Sequence, residues 1–275
     1  MRKAYQSDLS EKEWACIEPH LPTPKAPGRP RLHPLREILD AVLYVLKSGG
    51  AWRLLPHDFP PWKTVYHYFR AWRLDGTWER LHEALRRRAR VRLGRDPQPS
   101  AGIVDSQSVK TTGVGGEQRG FDPGKKVKGR KRHLLVDTEG LVMRAEVHSA
   151  GVFDRDGIKP LLALARDRFP RLSHLWLDAG YNGRGKGKDW VEKTLGLTAE
   201  VVRPPRRWVR VPEGQEPPPW PGFTVLQRRW VVERTFSWLG QNRRMSKDYE
   251  ALTETGEAFI HVAMSRLMVR RLARS

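Results

Sequence analysis

Two short apolar runs each end in an aspartate: Gly102-Ile103-Val104 before Asp105, and Leu175-Trp176-Leu177 before Asp178. Runs of this length, closed by a polar residue, are expected as buried strands. The chain past residue 100 is therefore expected to build a sheet with carboxylates at strand ends. A third carboxylate, Glu233, sits in Arg228-Arg229-Trp230-Val231-Val232-Glu233-Arg234-Thr235-Phe236, which reads as an amphipathic helix. At about 100° per residue, Arg229 and Ser237 fall one turn either side of Glu233, and Gly240 and Arg244 continue the stripe. Val225, Val232 and Leu239 point toward a core, while Trp230 and Phe236 flank Glu233 and are expected to shelter it. Three such groups, brought together, can hold two divalent ions and cut a phosphodiester. Each also has a plainer reading. A strand-end Asp commonly caps a turn, and Asp178 precedes the turn-forming Ala179-Gly180-Tyr181-Asn182-Gly183. Glu233 can simply pair with Arg229 at i−4. Asp137, Asp154 and Asp156 are further carboxylates in reach of such a cluster. Asp137 falls in a hairpin turn and Asp156 precedes Gly157, where it would cap a helix, so both read as structural.

The charge balance names the class of partner. Lys and Arg number 51 against 31 Asp and Glu, a net charge of +20 in 275 residues. An excess of this size points to phosphate, with nucleic acid ahead of an anionic membrane surface. No stretch approaches the roughly 18 apolar residues of a spanning helix, and Met1 to Asp8 is not followed by an apolar signal region. The single cysteine, Cys16, excludes an intramolecular disulfide and a cysteine-based zinc site. A reducing, cytoplasmic setting follows, in association with the nucleoid if the partner is DNA.

Residues 1–93 read as helical and residues 94–275 as mixed α/β. Ser10-Glu11-Lys12-Glu13 is a capping box ahead of Trp14, Ile17 and Leu21. Leu35 to Leu46 carries a wide apolar face and ends at Ser48-Gly49-Gly50. Pro60-Pro61 opens a third helix. It shows Trp62, Val65, Tyr66, Phe69 and Trp72 on one side and Lys63, Thr64, His67 and Arg70 on the other. A fourth helix, with Trp78, Leu81 and Leu85, follows the Asp75-Gly76 turn. Two helices about a glycine turn, the second with a basic face, suggest a helix-turn-helix that grips DNA through Lys63, Thr64, His67 and Arg70. A plain bundle with a basic solvent face gives the same pattern. Beyond the linker at 94–100 come a strand over Ile103 to Ser106 and a hairpin of Lys131 to Val136 with Leu141 to His148. A helix over Ile158 to Arg168 and strands over Leu172 to Asp178 and Leu197 to Val202 follow. A proline-rich loop spans 204–221, one helix begins near Thr224, and a last one runs from about Glu257 to Leu272.

Residues 111–132 are expected as a glycine-rich basic loop beside Asp105. Its Lys125, Lys126, Lys128, Arg130 and Arg132, with Lys110 just before it, would neutralise phosphates. Gly180-Tyr181-Asn182-Gly183-Arg184-Gly185-Lys186 imitates a phosphate-binding P-loop. Gly187 stands where that loop needs Ser or Thr for magnesium, which argues against nucleotide hydrolysis. The chain has no Gly-x-Ser-x-Gly elbow for a serine hydrolase.

Four blocks, in order, carry a resemblance: Asp105-Ser106-Gln107-Ser108-Val109-Lys110, Gly124 to Leu134, Asp178-Ala179-Gly180-Tyr181, and Trp230 to Leu239. Together with Gly50-Ala51-Trp52-Arg53-Leu54-Leu55-Pro56 and Pro61 to Tyr66, they resemble transposases of bacterial insertion sequences, nearest the insertion sequence five family of the Asp-Asp-Glu class. The resemblance covers nearly the whole chain. It implies a ribonuclease-H-like catalytic core preceded by a small helical domain. It also implies that Asp105, Asp178 and Glu233 are the catalytic, metal-binding triad for two Mg2+ or Mn2+ ions. The family sets Tyr, Arg, Glu and Lys at fixed spacing around its Glu. Arg229 matches the Arg, whereas Leu226 and Gly240 replace the Tyr and the Lys. Arg244, one turn past Gly240, is the expected substitute for gripping DNA. The interval from Asp178 to Glu233 leaves little room for the inserted β-domain of some relatives.

The resulting expectation is a DNA transposase. It would act on double-stranded DNA ends and target, as a homodimer when two ends are paired, with no membrane partner. A metal-dependent nuclease without strand transfer and a catalytically inactive DNA-binding repressor are the alternatives.

Overall fold

The computed structural model describes residues 2–23, 31–113, 116, 118–203 and 227–274. The expected proline-rich loop 204–221, the residues Thr224, Val225 and Leu226, and Gly115 lie outside them. Four helices come first: α1 (Glu11–Ile17), α2 (Leu35–Ser48), α3 (Trp62–Leu74) and α4 (Thr77–Arg92). The Ser10 capping box forms, with the Ser10 hydroxyl accepting from Glu13 N and the Glu13 carboxylate accepting from Ser10 N. Helices α2 and α3 are joined by residues 49–61, which include a 3-10 turn at Trp52–Leu54. Asp75 and Gly76 make the tight turn between α3 and α4.

The sheet follows: β1 (Ala101–Lys110), β2 (Gly120–Asp122), β3 (Val127–Asp137), β4 (Val142–Ser149), then α5 (Asp154–Leu162), α6 (Ala165–Arg168), β5 (His174–Leu177), α7 (Gly187–Trp190), β6 (Thr198–Val201), α8 (Gln227–Gly240) and α9 (Thr253–Ala273). Strands β1, β3 and β4 are antiparallel neighbours, and β5 and β6 run parallel to β1 on its other side. β2 continues the far edge of β3 beyond β4. Three antiparallel strands followed by two parallel ones is the ribonuclease-H-like arrangement that the resemblance implies. Helices cover both faces: α5 packs on β3 and β4, and α8 and α9 pack on the other side.

The expected basic loop 111–132 is corrected here. Its last third is strand, because β3 begins at Val127, and β2 lies inside it. Side chains alternate along β3, and both faces are covered, so both sets go inside. Arg130, Lys131, Arg132 and His133 are all buried. The expected helix 158–168 starts earlier, at Asp154, and breaks between Leu162 and Ala165.

Helices α1–α4 do not stand apart from the sheet. Ile38, Val42, Phe69, Trp78 and Leu85 share one apolar core with Ile103, Leu134, Val136, Val232, Phe259 and Met264. A second core, of Val104, Leu135, Ile158, Leu161, Leu175 and Leu177, lies under α5. Between β4 and α9, Val147 N donates to Glu257 Oε1 at 2.9 Å. Burial and the charges of Glu146 and Glu254 push the Glu257 carboxyl up to about 8. A folded value above the unfolded one stabilises the fold below about pH 4.5, and that contribution is lost as pH rises through about 8. Glu257→Gln removes the titration. The wild type should lose on the order of 3 kcal/mol relative to the variant between pH 5 and 8, read from denaturant midpoints.

Candidate active site

Ile103 of β1 pairs in parallel register with Trp176 of β5. Asp105 and Asp178 each follow two residues later, so the two carboxylates leave neighbouring strands at one level and on one face. Asp105 Oδ1 accepts from Ser106 N at 2.7 Å, and Asp178 Oδ1 accepts from Gly180 N at 2.8 Å. The second contact is the turn-capping role open to Asp178 in the sequence. Burial, reinforced by the charge of Asp178, pushes the Asp105 carboxyl up to about 6, against the pull of Lys125 and Arg229. A carboxylate held out of water beside a second one is a site that a cation would relieve.

Glu233 is placed by α8, which packs across β1 and β5. Thr235 Oγ1 donates to Gly140 O at 2.7 Å and Arg234 donates to Glu139 O at 3.0 Å, fixing the helix on the β3–β4 turn. Gly140 has φ 79°, and a Cβ there would stand 2.9 Å from the Thr235 hydroxyl. Arg228 stacks on Trp176 of β5, 4.3 Å above its ring. Thr235 lies about 200° around the helix from Glu233, so clamping one leaves the other on the open side. Glu233 is exposed and pairs with Arg229 at 3.4 Å. Trp230 is itself 48% exposed, and the Glu233 side chain, at 54%, is only partly covered.

The structure thus brings Asp105 and Asp178 together and leaves Glu233 outside that pair, held by Arg229. Among the described residues no three His, Cys, Asp or Glu side chains gather closely enough to hold a metal ion. The cations at hand are Lys125 and Arg229; the charges of both reach Asp105, and the Arg229 guanidinium also holds Glu233. The donor chemistry suits a hard divalent ion, because all three groups offer carboxylate oxygen.

Around the pair lies a polar cluster that sequence reading did not assemble. Asp154 Oδ1 accepts from Ser106 Oγ at 2.8 Å and from Lys131 Nζ at 2.7 Å. Burial raises the Asp154 carboxyl, but the hydrogen bonds from Lys131 and Ser106 outweigh it and leave it below its usual range. A Cβ on Gly180 would lie 3.1 Å from Asp178 Oδ1 and 3.6 Å from Asp154 Oδ2, so Asp154 borders the Asp178 turn. Lys125 Nζ donates to Ser106 O at 2.8 Å and to Ser106 Oγ at 3.1 Å. Beneath them, Tyr181 is buried against His133, which in turn meets His148 at 3.0 Å. Burial, then the charges of Asp105, Asp154 and Asp178, raise the Tyr181 hydroxyl far above its ordinary value and keep it neutral. The signal for Lys131 and His133 was their two-residue spacing in a strand covered on both faces.

Three expected DNA contacts are corrected. Arg130 ends among Asp248, Glu250 O and Ala251 O, and Arg132 donates to Met245 O and Lys247 O. Arg244 does not continue the stripe of Glu233, because α8 stops at Gly240 and a 3-10 turn at Arg243–Met245 turns the side chain inward. There it pairs with Glu250 at 2.7 Å and donates to Gly50 O at 2.9 Å. Arg244→Ala should therefore lower stability by about 3 kcal/mol in denaturant unfolding, with any loss of DNA affinity tracking the unfolded fraction. Lys110, Lys125, Lys126 and Lys128 are exposed, as are Lys63, His67 and Arg70 on α3, with Thr64 half-buried. The P-loop imitation is a different structure. Tyr181 is interior, Lys186 pairs with Asp156 at 3.0 Å, and Gly187 is pressed against the Tyr181 carbonyl where no Cβ fits.

Comparison with known proteins agrees with this arrangement. Residues 9–82 match a family model described as "Putative transposase of IS4/5 family". Residues 96–268 match one described as "Transposase DDE domain". The chain is similar to a Burkholderia cepacia protein described as "Insertion element IS402 uncharacterized 16.2 kDa protein", with 36% identity over 114 residues, covering 39% of this chain and 76% of the relative. No solved structure matches the chain. With the second of these models spanning well over half of its length, the chain belongs to the DDE-domain transposases of insertion sequences.

Proposed function

We propose that the protein binds the ends of its insertion sequence, cuts them with divalent metal, and joins them to target DNA. The observation that carries this reading is the juxtaposition of Asp105, midway along β1, with Asp178, just past the end of the parallel neighbour β5, and Glu233 on the helix that crosses them. Asp105, Asp178 and Glu233 would hold two Mg2+ or Mn2+ ions. Bound there, such ions supply charge neutralisation and activation of a water or a 3′-hydroxyl for phosphodiester exchange. For Glu233 to join the pair, Arg229 must release it, and the freed guanidinium then faces DNA phosphate. Lys110, Lys125, Lys126 and Lys128 are exposed cations and would take backbone phosphates. The helical segment 1–93 supplies a second contact through Lys63, Thr64, His67 and Arg70 on the outer face of α3. Two ends must be paired for joining, so the working form is a homodimer. Among the described residues no helix is long and apolar enough to cross a membrane, and the place of action is the nucleoid.

The test is incubation of the protein with DNA carrying the element's own ends and a second duplex, with magnesium or manganese against chelator. Metal-dependent nicking at the end with covalent joining to the second duplex supports the full reading. Nicking without joined products would reduce it to a nuclease. Tight binding with no cutting in any metal would replace it with a DNA-binding repressor.

A further inference from the structure

A groove of about 400 Å3 runs beside the Asp178 turn, between the β2–β3 turn and the loop from β4 into α5. The sequence reading gave it no role. Gly124, Gly151 and Gly180 line it and leave it open. Lys125 stands on one wall. Its turn is held from below, because Asp122 Oδ1 accepts from Gly124 N at 3.0 Å and from Lys125 N at 3.1 Å. Among the described residues the Lys125 ammonium makes no direct ion pair; it donates to the carbonyl and hydroxyl of Ser106, and its charge reaches Asp105, Asp122 and Asp154. Phe153 stands on the other wall, a large apolar ring that is 55% exposed. Arg155 lies over that ring at 5.2 Å. It makes no ion pair or hydrogen bond among the described residues, and its Nε is shielded from solvent without a partner. Lys131 and Asp154, which also border the groove, are spent on each other.

Two cations without a direct ion pair and an exposed aromatic ring, next to paired carboxylates, match the two halves of a nucleotide. The cations fit phosphate, and the ring with its guanidinium fits the π-face of a base. We propose that this groove is a nucleotide subsite that takes the residue next to the cut in an unstacked state, Lys125 and Arg155 holding its phosphate and Phe153 stacking its base. The proposal rests on the DNA-cleaving reading above and adds the demand that one base leaves the duplex stack at the cut.

The experiment is a cleavage-rate measurement on DNA carrying the element's end, either intact or with a single abasic site stepped across the cut. On intact DNA, Phe153→Ala should slow cleavage roughly five- to a hundredfold, the loss carried by one base–aromatic stack, and Phe153→Tyr should restore it. At one abasic position the penalty of Phe153→Ala should vanish, since no base remains to stack. The penalty of Lys125→Gln should persist at every position, since the phosphate remains. Phe153 is exposed, so an unchanged melting temperature is expected and separates the effect from misfolding. Equal rates for wild type and Phe153→Ala on intact DNA, or a penalty that no abasic position removes, would overturn the subsite while leaving the cleavage reading intact. A wild-type protein that cuts nothing would overturn both.

Discussion

Asp105→Asn should lower metal-dependent cleavage of the element's ends by at least about 10³-fold while leaving DNA-end affinity within about twofold. The substitution keeps the shape of the side chain and its acceptor for Ser106 N, and removes the charge that faces Asp178. Its effect on stability should have the opposite sign. The Asp105 carboxyl is pushed up to about 6 by burial and by Asp178. Its contribution to folding is therefore fully present below about pH 4 and lost as pH rises through about 6. At pH 7.5 without divalent metal the ionised group destabilises the fold, and the amide variant should be more stable by about 1–2 kcal/mol. A variant that is inactive, binds DNA and melts higher is the signature of a site kept charged for chemistry at the expense of stability. A variant that cuts normally would remove Asp105 from the active site.

Asp137→Ala should cost about 3–5 kcal/mol, the largest loss expected of any single substitution considered. Asp137 is fully buried and pairs with Arg90 at 2.6 Å, and Arg90 is itself only 6% exposed at its side chain. The other oxygen accepts from Glu139 N and Leu141 N, both at 2.9 Å, and shapes the turn against which α8 is clamped. Truncation leaves a buried guanidinium without its counter-charge, holding only Asp96 O, and two backbone donors without partners. The pair also ties α4 of the helical segment to the sheet, so the variant should loosen both at once. Asp137→Asn retains an acceptor and should cost markedly less. Chemical unfolding of both variants, with the denaturant slope checked for two-state behaviour, measures the difference.

The elements whose signal is local were legible in the sequence. The Ser10 capping box, the proline start of α3 and the apolar runs that become β1 and β5 all depend on neighbours within a few residues, although Asp105 lies mid-strand because β1 runs on to Lys110. Residues whose role depends on what lies across the sheet were not. Arg130 and Arg132 read as a basic loop because glycines and lysines precede them. Their partners, Asp248 and the carbonyls of Met245, Lys247, Glu250 and Ala251, lie more than a hundred residues away. Arg244 departs from the Glu233 stripe for a nearer reason: helical spacing holds only to Gly240, where the helix stops. Asp154 was visible only as one carboxylate among several. The strand register that carries Ser106 and Lys131 to it is what marks it out. Phe153 carried no pattern at all, and its exposure beside the Asp178 turn emerges only from the fold.

The proposed function requires that Asp105, Asp178 and Glu233 share bound metal when DNA is in place, with Glu233 leaving its pairing with Arg229. Iron-directed cleavage of the polypeptide tests it most directly. Fe2+ replaces Mg2+ in the complex with the element's end, and ascorbate with peroxide then cuts the backbone beside the bound ion. Cuts clustered at residues 105, 178 and 233, suppressed by excess Mg2+ and lost in Asp105→Asn, are the expected result. Cuts at 105 and 178 without 233, or a pattern that Mg2+ does not suppress, would contradict the triad.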